Sequence, residues 1–323
     1  MRAERQWGTW DARRPAEMMH LQSGIRITPV VYAASNGKAS LLPPGGVKLG
    51  THLPDASLVE LEISHAGTEI DWCWHKPSAN ITVGNWRTTK HGEWGLRFWV
   101  SLVLSSNEAG EWSHSGDTAS FRSKSGVFRL ITAREPLLVT AHDSVEAVAQ
   151  EFEAHGYWFL KSRAKKGKVL ALRFNLDEIP QGAFAAGFGD GIREALNATP
   201  PVADKASPLA AVRDIVSWNS TWDPVNRRPY TSCTRNWDTG KFGGFGIWLT
   251  DTAVNAFLLS AFDAEMASEN LAALRKHQAK AGNFPCLVTG HDDWSDRTQP
   301  PIVSLLVWLI YQRDKNLDWL TAN

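Results

Sequence analysis

Hydrophobic and polar positions alternate with a period of two through much of the first half of the chain. "LVELEISHAG" (58–67) alternates, and after a Gly turn "TEIDWCWHK" (68–76) alternates again. "EWGLRFWVSLVL" (93–104) and "GVFRLITA" (126–133) repeat the pattern, with turn residues in "SSNEAGE" and "SKSG". Side chains on a strand point to opposite faces in turn, so this rhythm predicts half-buried strands. Strands joined by short Gly/Ser/Asn turns predict an antiparallel sandwich. One interruption, "SVEAVAQEFEAHGYW" (144–158), spaces Val145, Val148 and Phe152 as a helix does, and the strand "KVLALRFNLDEI" (168–179) follows it.

Near residue 180 the character changes. "ATPPVADKASP" (198–208) has Pro and Ala but little to bury, which marks a linker or sharp corner. The expected division is a β-sandwich domain over 1–195, a linker over 196–208 and a helical domain over 209–323. "LAAVRDIVSWNS" is one helix of that domain. "DTAVNAFLLSAF" is another, with Val254, Phe257, Leu258, Ala261 and Phe262 on one face. "AEMASENLAALRKHQ" is a more polar amphipathic helix, closing at Gly282.

The last helix is expected to begin on Pro300 and Pro301, because proline costs little where the N–H is unpaired anyway. Gln299, preceding a proline, is pushed into an extended conformation. Ile302, Leu305, Leu306, Leu309 and Ile310 form one stripe, which Val303, Val307 and Trp308 widen to most of the circumference. A helix apolar nearly all round is expected to be buried between neighbours. Arg297 and Gln299 then stand at its electropositive start. Two readings stay open: they donate to a ligand at a mouth ringed by helix starts, or Asp296 and Gln299 cap the helix while Arg297 pairs with Asp296.

Composition narrows the classes of function. In 323 residues, Lys+Arg and Asp+Glu are equal at 34 each, so charge gives no reason to expect a nucleic-acid or acidic-membrane partner. Cys73, Cys233 and Cys286 are widely spaced and show neither a disulfide framework nor metal-ligand spacing. With no apolar signal segment at "MRAERQWGTW" and no run of about 18 apolar residues, a cytoplasmic chain with no metal or cofactor is expected. The unusual feature is 16 tryptophans beside 4 tyrosines. Indole rings serve as large core plugs, and they also stack on the C–H face of a sugar; composition does not choose between the two.

Three stretches carry a resemblance: "WNSTWDPVNRRPYTSCTRNW" (218–237), "GGFGIWLTDTAVNAFLLSAFDAEMASENL" (243–271) and "GNFPCLVTGHDDWSDRTQPPIVSLLVWLIYQR" (282–313). In content and order they resemble glycoside hydrolase family 63 and its mannosylglycerate-hydrolase-like relatives. The resemblance covers the last hundred residues strongly and the strand-rich half only in layout. It implies an α+β chain, an antiparallel β-sandwich followed by an incomplete (α/α)6 toroid made of its first four or five helices. It also implies inverting hydrolysis of α-glucosyl or α-mannosyl sugars. Residue by residue, it implies that Trp248 stacks on the sugar, that Asp251 accepts from its hydroxyls and that Gln299 and Arg297 contact it. The family's Ser–Arg–x–Trp corresponds to Thr234–Arg235–Asn236–Trp237, which brings Arg235 and Trp237 into the expected sugar site. Thr250 stands where the family more often has a residue that thickens the aromatic wall.

Inverting cleavage needs a protonated carboxyl group and a carboxylate about 6.5–9.5 Å apart. In the resembled family both lie beyond the Asp–Arg–x–Gln–Pro–Pro segment, so the catalytic pair is expected downstream of Asn323. The expectation is therefore the N-terminal portion of a glycosidase, holding part of the subsite for an oligosaccharide or small glycoside. A second chain completing the toroid is one extension of it. The alternatives are a non-catalytic sugar-binding module working through the sandwich, and a small complete enzyme using Asp251 with Asp292, Asp293 or Asp296. Asp296, next to Arg297, is expected to stay ionised and so to make a poor acid. "FGGFG" (242–246) lacks the Lys-Ser/Thr of a phosphate loop and predicts a close backbone approach between elements.

Overall fold

The computed structural model describes residues 6–9, 11–92, 97–156, 167–223, 225–233 and 241–323. It divides into two compact units. One comprises Arg2–Thr51 and Ala56–Val202; the other comprises Ala203–Asn323 with His52–Asp55.

The first unit holds β1 (Trp7–Thr9), β2 (Met18–His20), β3 (Ile25–Ala33), β4 (Lys38–Ser40), β5 (Val47–His52), β6 (Leu58–His65), β7 (Thr68–Ser78) and β8 (Ile81–Lys90). It continues with β9 (Phe98–Ser105), β10 (Gly110–Ser115), β11 (Thr118–Ser123), β12 (Gly126–Thr132) and β13 (Leu138–His142). Helix α1 (Val145–His155), β14 (Val169–Asn175), β15 (Gln181–Phe188) and the short α2 (Ile192–Ala195) complete it. A seven-stranded sheet runs β1-β2-β3-β9-β14-β13, with β4 also on β3. An eight-stranded sheet runs β10-β11-β12-β15-β8-β7-β6-β5. Neighbours such as β3/β9, β9/β14, β7/β8 and β8/β15 are antiparallel.

The alternation read from sequence has the expected cause. In β7, Thr68, Ile70, Trp72 and Trp74 are buried while Glu69, Asp71 and Cys73 are partly exposed. In β14 every residue is buried, because α1 covers the outer face of its sheet. Val145, Val148 and Phe152 of α1 pack with Val169, Ala171 and Val103. Ser144 caps that helix, accepting from the Ala147 N–H at 3.2 Å.

Aromatic rings fill the space between the sheets. Trp72, Trp74, Trp86 and Phe184 from the eight-stranded sheet meet, and Trp86 lies 5.3 Å from Phe174 of the other sheet. Two glycines make the room. Gly182 pairs with Trp86 and Gly84 with Phe184 across β8/β15. A Cβ at Gly182 would overlap the Trp86 ring, and one at Gly84 would overlap the Phe184 ring. Each ring therefore lies flat over its cross-strand glycine.

The second unit is mainly helical: α3 (Pro208–Trp218), α4 (Leu249–Leu259), α5 (Ala264–Lys276), α6 (Val303–Asp314) and α7 (Leu317–Ala322). Two short antiparallel ladders join it, β16 (Ser220–Asp223) with β17 (Arg228–Thr231), and β18 (Gly246–Trp248) with β19 (Leu287–Thr289). Packing fixes the helix directions. Leu249 and Ala253 of α4 share a cluster with Val303 and Leu306 of α6, and further along Ala256 meets Val307. Starts lie by starts, so α4 and α6 run parallel. Ala273 and Leu274, near the end of α5, join the cluster at the start of α4, while Met266 and Ala267 meet Leu259 at its end. So α5 returns antiparallel. The chain is thus α+β, a β-sandwich followed by part of a helical toroid. Among the described residues, no helix is long and apolar enough to cross a membrane.

Two expectations are corrected. The last long helix starts at Val303, with Ile302 at its N-cap, so Pro300 and Pro301 lie outside it. It is also not buried all round: only Val307 and Ile310 are buried, while Leu305, Trp308 and Leu309 are 56%, 49% and 42% exposed. It packs on α4 along one stripe, and Trp319 and Leu320 of α7 join the cluster around Val307.

Two outcomes test the sandwich. Gly182→Ala is expected to cost about 1–3 kcal/mol by overpacking, read from denaturant unfolding, and Trp86→Leu in the same chain should recover part of it. The buried His20 is the second. It bonds Gln6 at 2.8 Å and Ser23 at 2.9 Å. Burial pushes it down to about 4. The unfolded chain binds this proton more readily, so its stability contribution is complete above the ordinary value near 6.5. It is lost as pH falls from there through 4, by about 3 kcal/mol. Unfolding free energy measured across that range should lose about one proton of slope in His20→Gln; an unchanged slope would contradict the assignment.

Candidate functional site

The start of α4 is built by a segment that lies far ahead in sequence. Trp248 ends β18 and serves as the N-cap of α4, yet offers no side-chain acceptor to the helix. Its strand pairs with β19 in the register Trp248↔Leu287. The chain then turns through Thr289–Asp292 and comes back, so that Trp294 donates its N–H to Leu287 at 2.8 Å. Cys286 N–H is shared between the carbonyls of Trp294 (3.0 Å) and Arg297 (3.1 Å). These bonds pin the loop carrying Trp294, Arg297 and Gln299 beside Trp248.

Helix starts leave N–H groups without intrahelical partners. Here the N–H of Leu249 goes to the Cys286 carbonyl at 3.2 Å. The N–H of Thr250 goes to the side-chain Oε1 of Gln299 at 2.6 Å. Gln299 thus caps α4, rather than the following helix that the proline spacing predicts. Leaving that donor bare in a part-buried site would cost about 1–3 kcal/mol.

Three rings form a corner. Trp248 and Trp294 lie edge to face with centroids 6.3 Å apart, and Phe242 approaches Trp248 similarly at 5.9 Å. The Arg297 guanidinium sits 5.6 Å from the Trp294 ring, close enough for a weak cation–π contact. The same guanidinium holds the Asp296 carboxylate at 2.8 and 3.1 Å. Asp296 is thereby kept below the usual carboxylate range, and Arg297 is raised. Both are well exposed, so the pair adds little to stability. Asp251 stands exposed in the first turn of α4. The indole Nε1 of Trp248 is buried and makes no hydrogen bond among the described residues.

The floor is glycine. Gly290 donates to the Phe242 carbonyl at 2.8 Å. Gly243 has a φ of +71°, and a Cβ there would come within 2.8 Å of the His291 ring. The close approach read from "FGGFG" is thus made by the turn onto His291.

The structure therefore brings Trp248, Asp251, Arg297 and Gln299 to one end of the helical unit. Arg235 and Trp237 lie outside the described residues. Sequence reading missed Trp294 and Phe242 as walls of the corner. The available signal for Trp294 was a large ring two residues before Asp296–Arg297. Among the described residues no group of three or more His, Cys, Asp or Glu is arranged to hold a metal ion.

No family model and no curated protein matches the chain. Among solved structures it is similar to a bacterial glucoamylase complexed with acarbose. The TM-score is 0.51 at 11% identity, over 96% of this chain and 56% of that one. The chain thus spans little more than half the length of that neighbour. The likeness concerns the fold, a sandwich with part of a helical toroid.

Gly243→Ala tests the floor. It combines a left-handed backbone with a ring clash, and is expected to lower unfolding stability by about 1–3 kcal/mol. His291→Ala in the same chain should remove the clash but not the backbone strain, recovering only part of the loss.

Proposed function

We propose that the start of α4 is a sugar-binding rim, and that the chain works as part of an inverting α-glycoside hydrolase acting on α-glucosyl or α-mannosyl sugars. The observation that carries this reading is the indole corner of Trp248 and Trp294 at one helix start, with the Arg297 guanidinium beside Trp294 and Asp251 exposed in the first turn of the helix. A pyranose has an apolar C–H face and a rim of hydroxyls that both donate and accept. In this reading the C–H face lies on Trp248, with Trp294 as the side wall. Asp251 accepts from a vicinal pair of hydroxyls, and Arg297 donates from its free edge. The resemblance to glycoside hydrolase family 63 and the fold shared with the glucoamylase support the same class.

Under this proposal the acid and base come from outside the residues of the rim, in further helices of the same kind or from a second chain. Asp296 supports this for the acid, since the Arg297 guanidinium holds its carboxyl below the usual range and makes it a poor donor to a leaving oxygen. The exposed Leu305, Trp308 and Leu309 on α6 support a further helical layer, because a face of that kind is stable when covered. The sandwich is the weaker place for sugar binding. Its Trp7, Trp72, Trp74 and Trp86 are all buried and act as core plugs.

Titration with acarbose, maltose and methyl α-mannoside, followed by tryptophan fluorescence, tests the rim. Trp248→Ala and Asp251→Ala are each expected to weaken binding at least about tenfold, with unfolding stability changed by less than about 1 kcal/mol for the exposed Asp251. Little or no turnover is expected from residues 1–323 alone. Unchanged binding in both variants would move the site elsewhere, and robust purified hydrolysis would favour a complete small enzyme.

A further inference from the structure

Within the sugar-site reading just given, on which this rests, we infer that Gln299 is a positioning residue: its carbonyl oxygen fixes the first turn of α4, and through it the Trp248 ring and Asp251 carboxylate. The ordinary expectation for a glutamine on a sugar-binding rim is direct contact. The geometry gives it another task. Oε1 is occupied by the Thr250 N–H at 2.6 Å, the shortest of the bonds that pin this helix start. Thr250 lies between Trp248, the N-cap, and Asp251, the third residue of the helix. Holding its amide fixes the peptide planes on either side. The other bond at this end, from Leu249 to Cys286, is a longer backbone contact of 3.2 Å. Removing Gln299 would leave that one hydrogen bond, beside the packing of Leu249 and Ala253, to hold the first turn.

The two prolines then acquire a reason. They lie outside α6, so they do not start it. A residue before proline is disfavoured in the helical region, so Pro300 biases Gln299 toward an extended backbone, and Pro301 does the same for Pro300. Fewer backbone states for Gln299 mean a smaller entropy loss when its amide is committed to Thr250. The sequence Gln–Pro–Pro thus builds a stiff arm reaching from the loop to a helix start 49 residues earlier.

Gln299→Glu and Gln299→Ala separate this role from direct contact. A carboxylate keeps the acceptor and is favoured at a helix start, but it loses the amide donor. Two readings are taken without ligand: hydrogen exchange at the Thr250 amide, and the near-ultraviolet circular dichroism that Trp294→Phe removes. A third is the affinity for acarbose. In Gln299→Ala, Thr250 should exchange at least about tenfold faster, the tryptophan signal should fall, and affinity should drop at least about tenfold. Gln299→Glu should keep slow exchange and the tryptophan signal, with affinity within about threefold of wild type. Unchanged exchange or an unchanged tryptophan signal in Gln299→Ala overturns the inference. So does a loss of affinity in Gln299→Glu equal to that in Gln299→Ala while Thr250 stays protected, because that marks direct contact. If the wild-type chain binds none of the sugars, the sugar-site reading fails, while the two ligand-free measurements still decide the role of Gln299.

Discussion

The helical unit depends on one packing constraint: α4 and α6 lie side by side and run the same way. Parallel neighbours bring both N-terminal ends, with their unpaired N–H groups and partial positive charge, to one end of the unit. That end must be supplied with acceptors. The chain supplies them through the Cys286 carbonyl, just before β19, and the Gln299 side chain, between β19 and α6. The antiparallel return of α5 makes the arrangement possible, since it carries the chain back to the same end before α6 begins. The aromatic corner, the exposed carboxylate and the guanidinium all stand where they do because this end has been tied.

Tryptophan serves two different purposes in this chain. In the sandwich, Trp7, Trp72, Trp74, Trp86 and Trp99 are buried, and several indoles satisfy their N–H on backbone carbonyls. Trp74 donates to Ala16 at 3.1 Å and Trp86 to Ile179 at 3.3 Å. This is ring area used to fill the gap between sheets. In the helical unit Trp248 and Trp294 are only half-buried and meet edge to face, with polar groups around them. Composition records the total and not this division. Only burial resolves which indoles plug a core and which line a surface.

Much of the architecture was legible in the sequence. The alternation of Ile70, Trp72 and Trp74 with Glu69 and Asp71 is the direct imprint of a half-buried strand. The helical spacing of Val145, Val148 and Phe152 likewise marked α1. Strands such as β15 carried no such imprint, because Gly182 there makes room for the Trp86 ring of the neighbouring strand. The buried helix expected after the prolines was wrong for a physical reason. Periodicity reports which residues are apolar, not whether a neighbour covers them, and Leu305 and Trp308 are left exposed. The site was legible as a set of residue types around Trp248, Asp251, Arg297 and Gln299. The bond from Gln299 to Thr250 was not, since a side chain capping a helix 49 residues away leaves no local pattern.

The central claim is that this tied helix end receives a sugar. The most direct measurement is a crystal structure of the chain soaked with acarbose. The account predicts a ring stacked on Trp248, with Trp294 at its side, Asp251 within hydrogen-bond distance of its hydroxyls and Gln299 still bonded to Thr250. Sugar bound on the sandwich with the α4 start empty, or Trp248, Asp251 and Gln299 standing apart from one another, would contradict it.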